Sequence, residues 1–138
     1  MGRRQKKLAV ALVCSDWRLH HSKTEFNRKL RTVLRVEGVD YVAVPGPDGL
    51  PKPGREAEWK TALDQAKLLI SAHAPIVIAV CAHQRCAGHP VSDEAHLGDV
   101  AAAAQALKGE TGFAGPSHAL IAQYRADLRW TVKEVEKY

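Results

Sequence analysis

Two short stretches carry chemistry that their neighbours do not. Cys14-Ser15-Asp16-Trp17-Arg18 places a thiol, a carboxylate and a guanidinium on one turn, and His83-Gln84-Arg85-Cys86 sets an imidazole and a thiol at H-x-x-C spacing. Zinc favours thiolate and imidazole in a tetrahedron, and a catalytic zinc keeps one position open. Cys14, His83 and Cys86 would supply three ligands, and two thiolates with a neutral imidazole cancel the 2+ charge. The fourth place is left for water, hydroxide or Asp16. Metal binding lowers the pKa of such a water towards neutrality. Asp16 could then accept a hydrogen bond from the hydroxide, while Arg18 holds Asp16 ionised through a bidentate pair. Either stretch alone reads as chance or structure; together they point to one metal centre.

The elements that must position them are legible from periodicity. Leu8 to Val13 is nearly all aliphatic, as expected of a strand covered on both faces. Ser22-Lys23-Thr24-Glu25 has capping-box spacing, and Phe26, Leu30, Val33 and Leu34 fall on one face of a helix that Gly38 should stop. Asp40 to Val44 reads as the second strand. The Pro- and Gly-rich stretch 45–54 reads as a loop, equally a lid, a subunit contact or a plain surface connector. A helix from about Glu56 to Ala72 follows, with Trp59, Leu63, Ala66 and Ile70 on one face, and Ile76 to Val80 is the third strand. Ser92-Asp93-Glu94 opens a helix through about Lys108, with Leu97, Val100, Ala101 and Ala104 inward. Gly109, Gly112 and Gly115 then break the chain, and two strands close it, about His118 to Tyr124 and Arg129 to Val135. Strands alternating with helices imply right-handed βαβ crossovers and a mostly parallel α/β sheet, with the final hairpin adding an antiparallel edge. Ligands collect at the carboxyl ends of strands in such sheets. Cys14 and His83 lie just past two such ends, on strands that can be neighbours.

Cys14-x-Asp16-x-Arg18 paired with His83-x-x-Cys86 resembles the β-class carbonic anhydrases, and the likeness follows the order of elements from about Leu8 to the terminal hairpin. The resemblance implies a Rossmann-like sheet of four parallel strands with an antiparallel edge and helices on both faces. It implies Zn2+ on Cys14, His83 and Cys86, a catalytic dyad of Asp16 and Arg18, and assembly as a homodimer or higher oligomer. The implied reaction is attack of zinc-bound hydroxide on carbon dioxide, giving bicarbonate. A carbonyl sulfide or carbon disulfide hydrolase on the same zinc core, or a non-catalytic zinc-binding module, are the alternatives. The family usually carries glycine before the histidine and after the second cysteine, where this chain has Ala82 and Ala87. A methyl there would narrow the pocket or disfavour a positive φ. An Arg-Asn-Ala-Gly-Asn type segment after the second strand is replaced by Val44-Pro45-Gly46-Pro47-Asp48-Gly49.

Composition bounds the rest. The 138 residues are 46% hydrophobic and 25% charged, with a net charge of +5, the profile of one globular domain with a basic tail over 1–7. No basic stripe interleaved with aromatics favours nucleic acid, and no run approaches the roughly 18 apolar residues of a membrane span. The terminal basic patch and apolar run do not suit a signal peptide, because the apolar run is short and Val13 is large for a processing site. Three cysteines argue against a disulfide framework, so a reducing, cytoplasmic setting is expected. Asp93-Glu94-Ala95-His96 spells a helicase box without any phosphate loop. His20 and Ala87, six places after Cys14 and Cys81, are not the arginine of a cysteine phosphatase loop, and the P-C-x-x-C of zinc deaminases is missing. Cys81 shares the His83 face by alternation and is expected to be a buried small hydrophobe rather than a ligand. His89 could line the pocket or shuttle protons and His20 and His21 could lie near its mouth, but plain exposure is the expected reading for all three; Trp17 and Trp130 are expected in packing, and Arg85 as a source of positive potential for an anionic product.

Overall fold

The computed structural model describes residues 3–138, so the first two residues of the basic tail lie outside the described residues. Five strands form one sheet: β1 (Leu8–Cys14), β2 (Gly38–Val44), β3 (Val77–His83), β4 (Ser117–Ala126) and β5 (Arg129–Lys137). The order is β2-β1-β3-β4-β5. The first four run parallel, and β5 pairs antiparallel with β4. This is the expected α/β sheet with an antiparallel edge. β1 and β3 are neighbours, with Val13 opposite Cys81, which brings their carboxyl ends side by side.

Alternation sorts the strand residues onto two cores, because successive side chains point to opposite faces. Ala9, Ala11 and Val13 of β1, with Val77, Ala79 and Cys81 of β3, pack beneath α2 (Phe26–Leu34). Val10, Leu12, Ile78, Val80 and Ala82 pack against α3 (Glu56–His73) and α4 (Asp93–Thr111). Helices therefore cover both faces. Phe26, Leu30 and Leu34 form the buried stripe of α2, and Trp59, Ala62, Leu63 and Ala66 that of α3, as periodicity requires.

Several local expectations are corrected. Ser22–Thr24 is a separate 3-10 turn, capped by the His21 ring accepting from the Lys23 N–H, and Glu25 enters α2 in a left-handed conformation with no side-chain cap. The capping box therefore does not form. Arg35, at φ +56°, ends α2, and Gly38 instead begins β2. The 45–54 stretch is neither lid nor plain surface connector over its first half, since residues 46–50 are buried beneath α4 and include a 3-10 turn over Pro47–Gly49. α4 runs three residues past Lys108, through Gly109, and Gly112 caps it at φ +71°. Its inward face is His96, Val100, Ala103, Ala104 and Leu107; Leu97 is exposed. At the amino-terminal side, Arg4 pairs with Glu37 and the Lys7 N–H donates to the same carboxylate, so this part of the tail is docked on the start of β2.

Candidate metal centre

Cys14 and His83 are the last residues of β1 and β3, one step inside the positions just past the strand ends where they were expected. Cys86 follows three residues later, after a turn in which Arg85 adopts φ +58°. The three side chains are buried, and their ligand atoms lie within 4.8 Å of one another. The two sulfurs are 3.9 Å apart and free.

The polar surroundings prepare these groups as ligands. Nδ1 of His83 lies 2.7 Å from the Gln84 carbonyl, which can only accept, so Nδ1 carries hydrogen. Nε2 is buried and has no hydrogen-bond partner. A lone buried nitrogen is costly unless something fills its lone-pair direction, and engagement of the opposite nitrogen by a carbonyl is how metal-binding histidines are oriented. The Cys14 thiol is lowered to about 4, chiefly by the hydrogen bond from Cys86, with His83 and the backbone N–H groups of Gly46 and Asp16 helping against burial. Cys86 moves the other way, pushed up by the adjacent Cys14 thiolate and by burial. Burial pulls the imidazole of His83 down, and the Cys14 thiolate outweighs it, so the ring's proton affinity rises. Without a cation the cluster therefore holds protons that a metal would displace. A buried Cys-His-Cys set with an orphaned imidazole nitrogen can bind a metal ion, and its donors are those of a zinc site.

Asp16 and Arg18 stand at the edge of this cluster. Asp16 caps α1 (Trp17–His20), accepting from the Arg18 N–H at 2.9 Å, the usual way a short side chain satisfies a free helix donor. The Arg18 guanidinium donates Nε to Oδ1 at 3.1 Å and Nη2 to Oδ2 at 2.7 Å, and Nη2 also reaches the Arg85 carbonyl at 3.0 Å. Chiefly through Arg18, and despite burial, the Asp16 carboxyl is held below the usual carboxylate range. Its Oδ2 sits 3.9 Å from Nε2 of His83. All five chemistry-bearing residues are thus in one place.

The remaining candidate residues lie around this cluster or apart from it. Cys81 stays outside the ligand set: its thiol donates to the Ala82 carbonyl, and burial drives its proton affinity up. Ala82 points into the opposite core and Ala87 is exposed. Neither has positive φ, so neither methyl acts on the cluster as anticipated. Trp17 is 67% exposed rather than packed. His20 lies against the Cys14 carbonyl at 2.8 Å, whereas His89 is half-buried on Asp99. Trp130 does pack, and also lines the site: it meets His83 edge-on at 5.7 Å and lies 5.5 Å from the Arg18 guanidinium. Lys29 holds it by donating to its carbonyl. No local pattern marked Trp130, which reaches the site only because β5 folds back beside β4. Gln84 likewise carries no signal in the local sequence, yet its Oε1 accepts from the Tyr124 N–H and ties the turn to β4. Arg85 stacks 3.8 Å over the Tyr124 ring. A groove of about 820 Å3 lined by Lys7, Arg35, Ile76, His118, Lys133 and Lys137 lies at the other end of the sheet and takes no part.

A family model described as "Putative carbonic anhydrase" matches residues 4–136. No curated protein matches the chain. No helix among the described residues is long and apolar enough to cross a membrane.

Proposed function

Because the chain belongs to the family described as "Putative carbonic anhydrase", we propose that it is a zinc-dependent, β-class enzyme for the reversible hydration of carbon dioxide. The observation that carries the reading is the orphaned Nε2 of buried His83 between two free thiols, with a carboxylate 3.9 Å away. Cys14, His83 and Cys86 would hold the ion. Zinc would supply a Lewis acid able to bring the ionisation of water close to neutral pH.

The chain's own residues then have separable tasks. The Gln84 carbonyl fixes the His83 tautomer and presents Nε2. Backbone N–H groups of Gly46 and Asp16 face Cys14, and those of Gly88 and His89 face Cys86, stabilising sulfur in its anionic form. Asp16, kept ionised by Arg18, can only accept hydrogen bonds. It would therefore orient a water by accepting a hydrogen bond from one of its O–H groups, which aims a lone pair at carbon dioxide. Arg18 keeps that carboxylate in one orientation through its fork and its hold on Arg85. Trp130 seals one side against solvent. Asp16 would also be available as a further ligand to the ion in place of that role. Assembly as a homodimer or higher oligomer comes with the same β-class reading.

The test is stopped-flow carbon dioxide hydration by protein of measured zinc content, beside Asp16→Ala and Cys86→Ser. The reading expects catalysis in the wild type, loss with zinc retained in Asp16→Ala, and loss of zinc in Cys86→Ser. Stoichiometric zinc with hydration at the buffer rate overturns it, and carbonyl sulfide turnover in that sample would assign the hydrolase instead.

A further inference from the structure

Three residues beyond Cys86 a second set of ligand-type side chains converges. Asp48, His89 and His96 bring donor atoms within 4.8 Å of one another. His96, the last letter of the discarded helicase-like motif, is fully buried, and its Nδ1 lies 2.6 Å from Oδ2 of Asp48, itself 1% exposed. Nε2 of His96 and Oδ1 of Asp48 are both buried without a hydrogen-bond partner. His89 meets His96 edge-on at 5.5 Å and places its Nε2 2.7 Å from Oδ2 of Asp99, whose Oδ1 accepts from Lys52 at 3.1 Å. Asp99 engages Nε2 of His89 and leaves its Nδ1 free, as metal-binding histidines are oriented, whereas the Asp48–His96 contact joins two of the candidate ligands themselves, and its proton is the one an ion would displace.

A Cβ built on Gly49 would sit 2.5 Å from Nδ1 of His89 and 2.8 and 3.0 Å from its Cγ and Cε1, over the face of the ring, so glycine here lets the buried 46–50 segment pack directly against that imidazole. We propose that Asp48, His89 and His96 form a second metal site, for a divalent first-row transition ion bound through imidazole nitrogen and carboxylate oxygen without sulfur. One carboxylate and two neutral imidazoles suit a 2+ ion, and imidazole with carboxylate selects zinc, cobalt or iron over calcium and magnesium. The site joins the buried 46–50 segment, the first turn of α4 and the turn after Cys86. Occupancy therefore braces the segments that flank the Cys-His-Cys cluster. Nothing in this inference depends on what the first centre catalyses.

The experiment is equilibrium dialysis of the chelator-stripped full chain against Co2+, read by elemental analysis and visible absorption. Two equivalents per chain are expected, one with thiolate-to-cobalt charge-transfer bands and one without. Cys14→Ser/Cys86→Ser should keep only the band-free equivalent. His96→Gln and His89→Gln should each lose it and keep the thiolate bands. His89 lies at the rim, and glutamine can still reach Asp99, so that variant decides the matter if His96→Gln fails to fold. A wild type that takes up no band-free equivalent overturns the proposal, as does a second equivalent retained in His89→Gln.

Discussion

Replacing Arg18 by methionine removes the guanidinium while keeping most of the side chain's bulk against Trp130. The structure sets the size of the effect. Arg18 makes three contacts to Asp16, at 3.1, 3.3 and 2.7 Å, and a fourth to the Arg85 carbonyl at 3.0 Å. Hydrogen bonds to charged groups contribute about 1.5–3 kcal/mol net in mutational series. Here the Arg18 side chain is 28% exposed, so water replaces part of what is lost, and we expect about 1–2 kcal/mol of stability to go. The larger effect is on rate, because Asp16 keeps its own backbone hydrogen bond but loses its lock. A positioned acid–base group contributes about 10²–10⁴-fold, and Arg18→Met should lose a comparable factor in kcat/KM at unchanged zinc content. Arg18→Lys restores the charge but not the fork and should fall between the two. Stopped-flow hydration of zinc-loaded variants reads this directly. Wild-type kcat/KM in fully loaded Arg18→Met would refute the role given to the pair.

Further outcomes are specific to other parts of the molecule. Gly46→Ala places a Cβ 2.6 Å from the Gly88 carbonyl carbon at φ +56°, so backbone must move; chemical denaturation should show a loss above ~1 kcal/mol, and dialysis should show weaker zinc binding. Leu12→Ala, in the fully buried centre of β1, should cost about 2–5 kcal/mol by the same denaturation assay while leaving bound zinc unchanged. Chelation of the loaded protein should lower Tm, since an ion bound only by the folded chain stabilises it by mass action. In the stripped protein, the Asp16 carboxyl is depressed below its ordinary 3.8 on folding. Its contribution is therefore complete above that value and is lost as pH falls through the lower folded value. Acid unfolding curves should show this dependence in wild type and less of it in Arg18→Met.

What the chain revealed before folding depended on how far each signal acts. β1 and β3 are unbroken aliphatic runs ending in Cys14 and His83, so their burial and their adjacency to the chemistry were legible, and the five-residue constellation followed. α4 was legible as a helix but only in part in its facing: Val100 and Ala104 point inward as read, and Leu97 does not. Ala101 to Ala104 give no periodicity, and buried His96 looks polar until Asp48, far away in the chain, supplies its partner. The 45–54 stretch misled for a related reason. Pro and Gly marked it as irregular, but irregular backbone can be buried when its groups are paired, and Gly46 sits against Gly88 too closely for any side chain. Ser22 and Glu25 had the right spacing for a cap, yet the chain spends those residues on a 3-10 turn. Trp130 entered the site through the β4–β5 pairing, a contact that spacing does not record.

Carbon dioxide turnover at the Cys14, His83 and Cys86 centre, with Asp16 beside it, is the proposed function from which the other expectations follow. Mass-spectrometric exchange of oxygen-18 between carbon dioxide and water at chemical equilibrium tests this without any added pH indicator. Exchange far above the uncatalysed rate is expected in zinc-loaded wild type, and exchange near that rate in Asp16→Asn of equal zinc content. Exchange at the uncatalysed rate in the loaded wild type would contradict it.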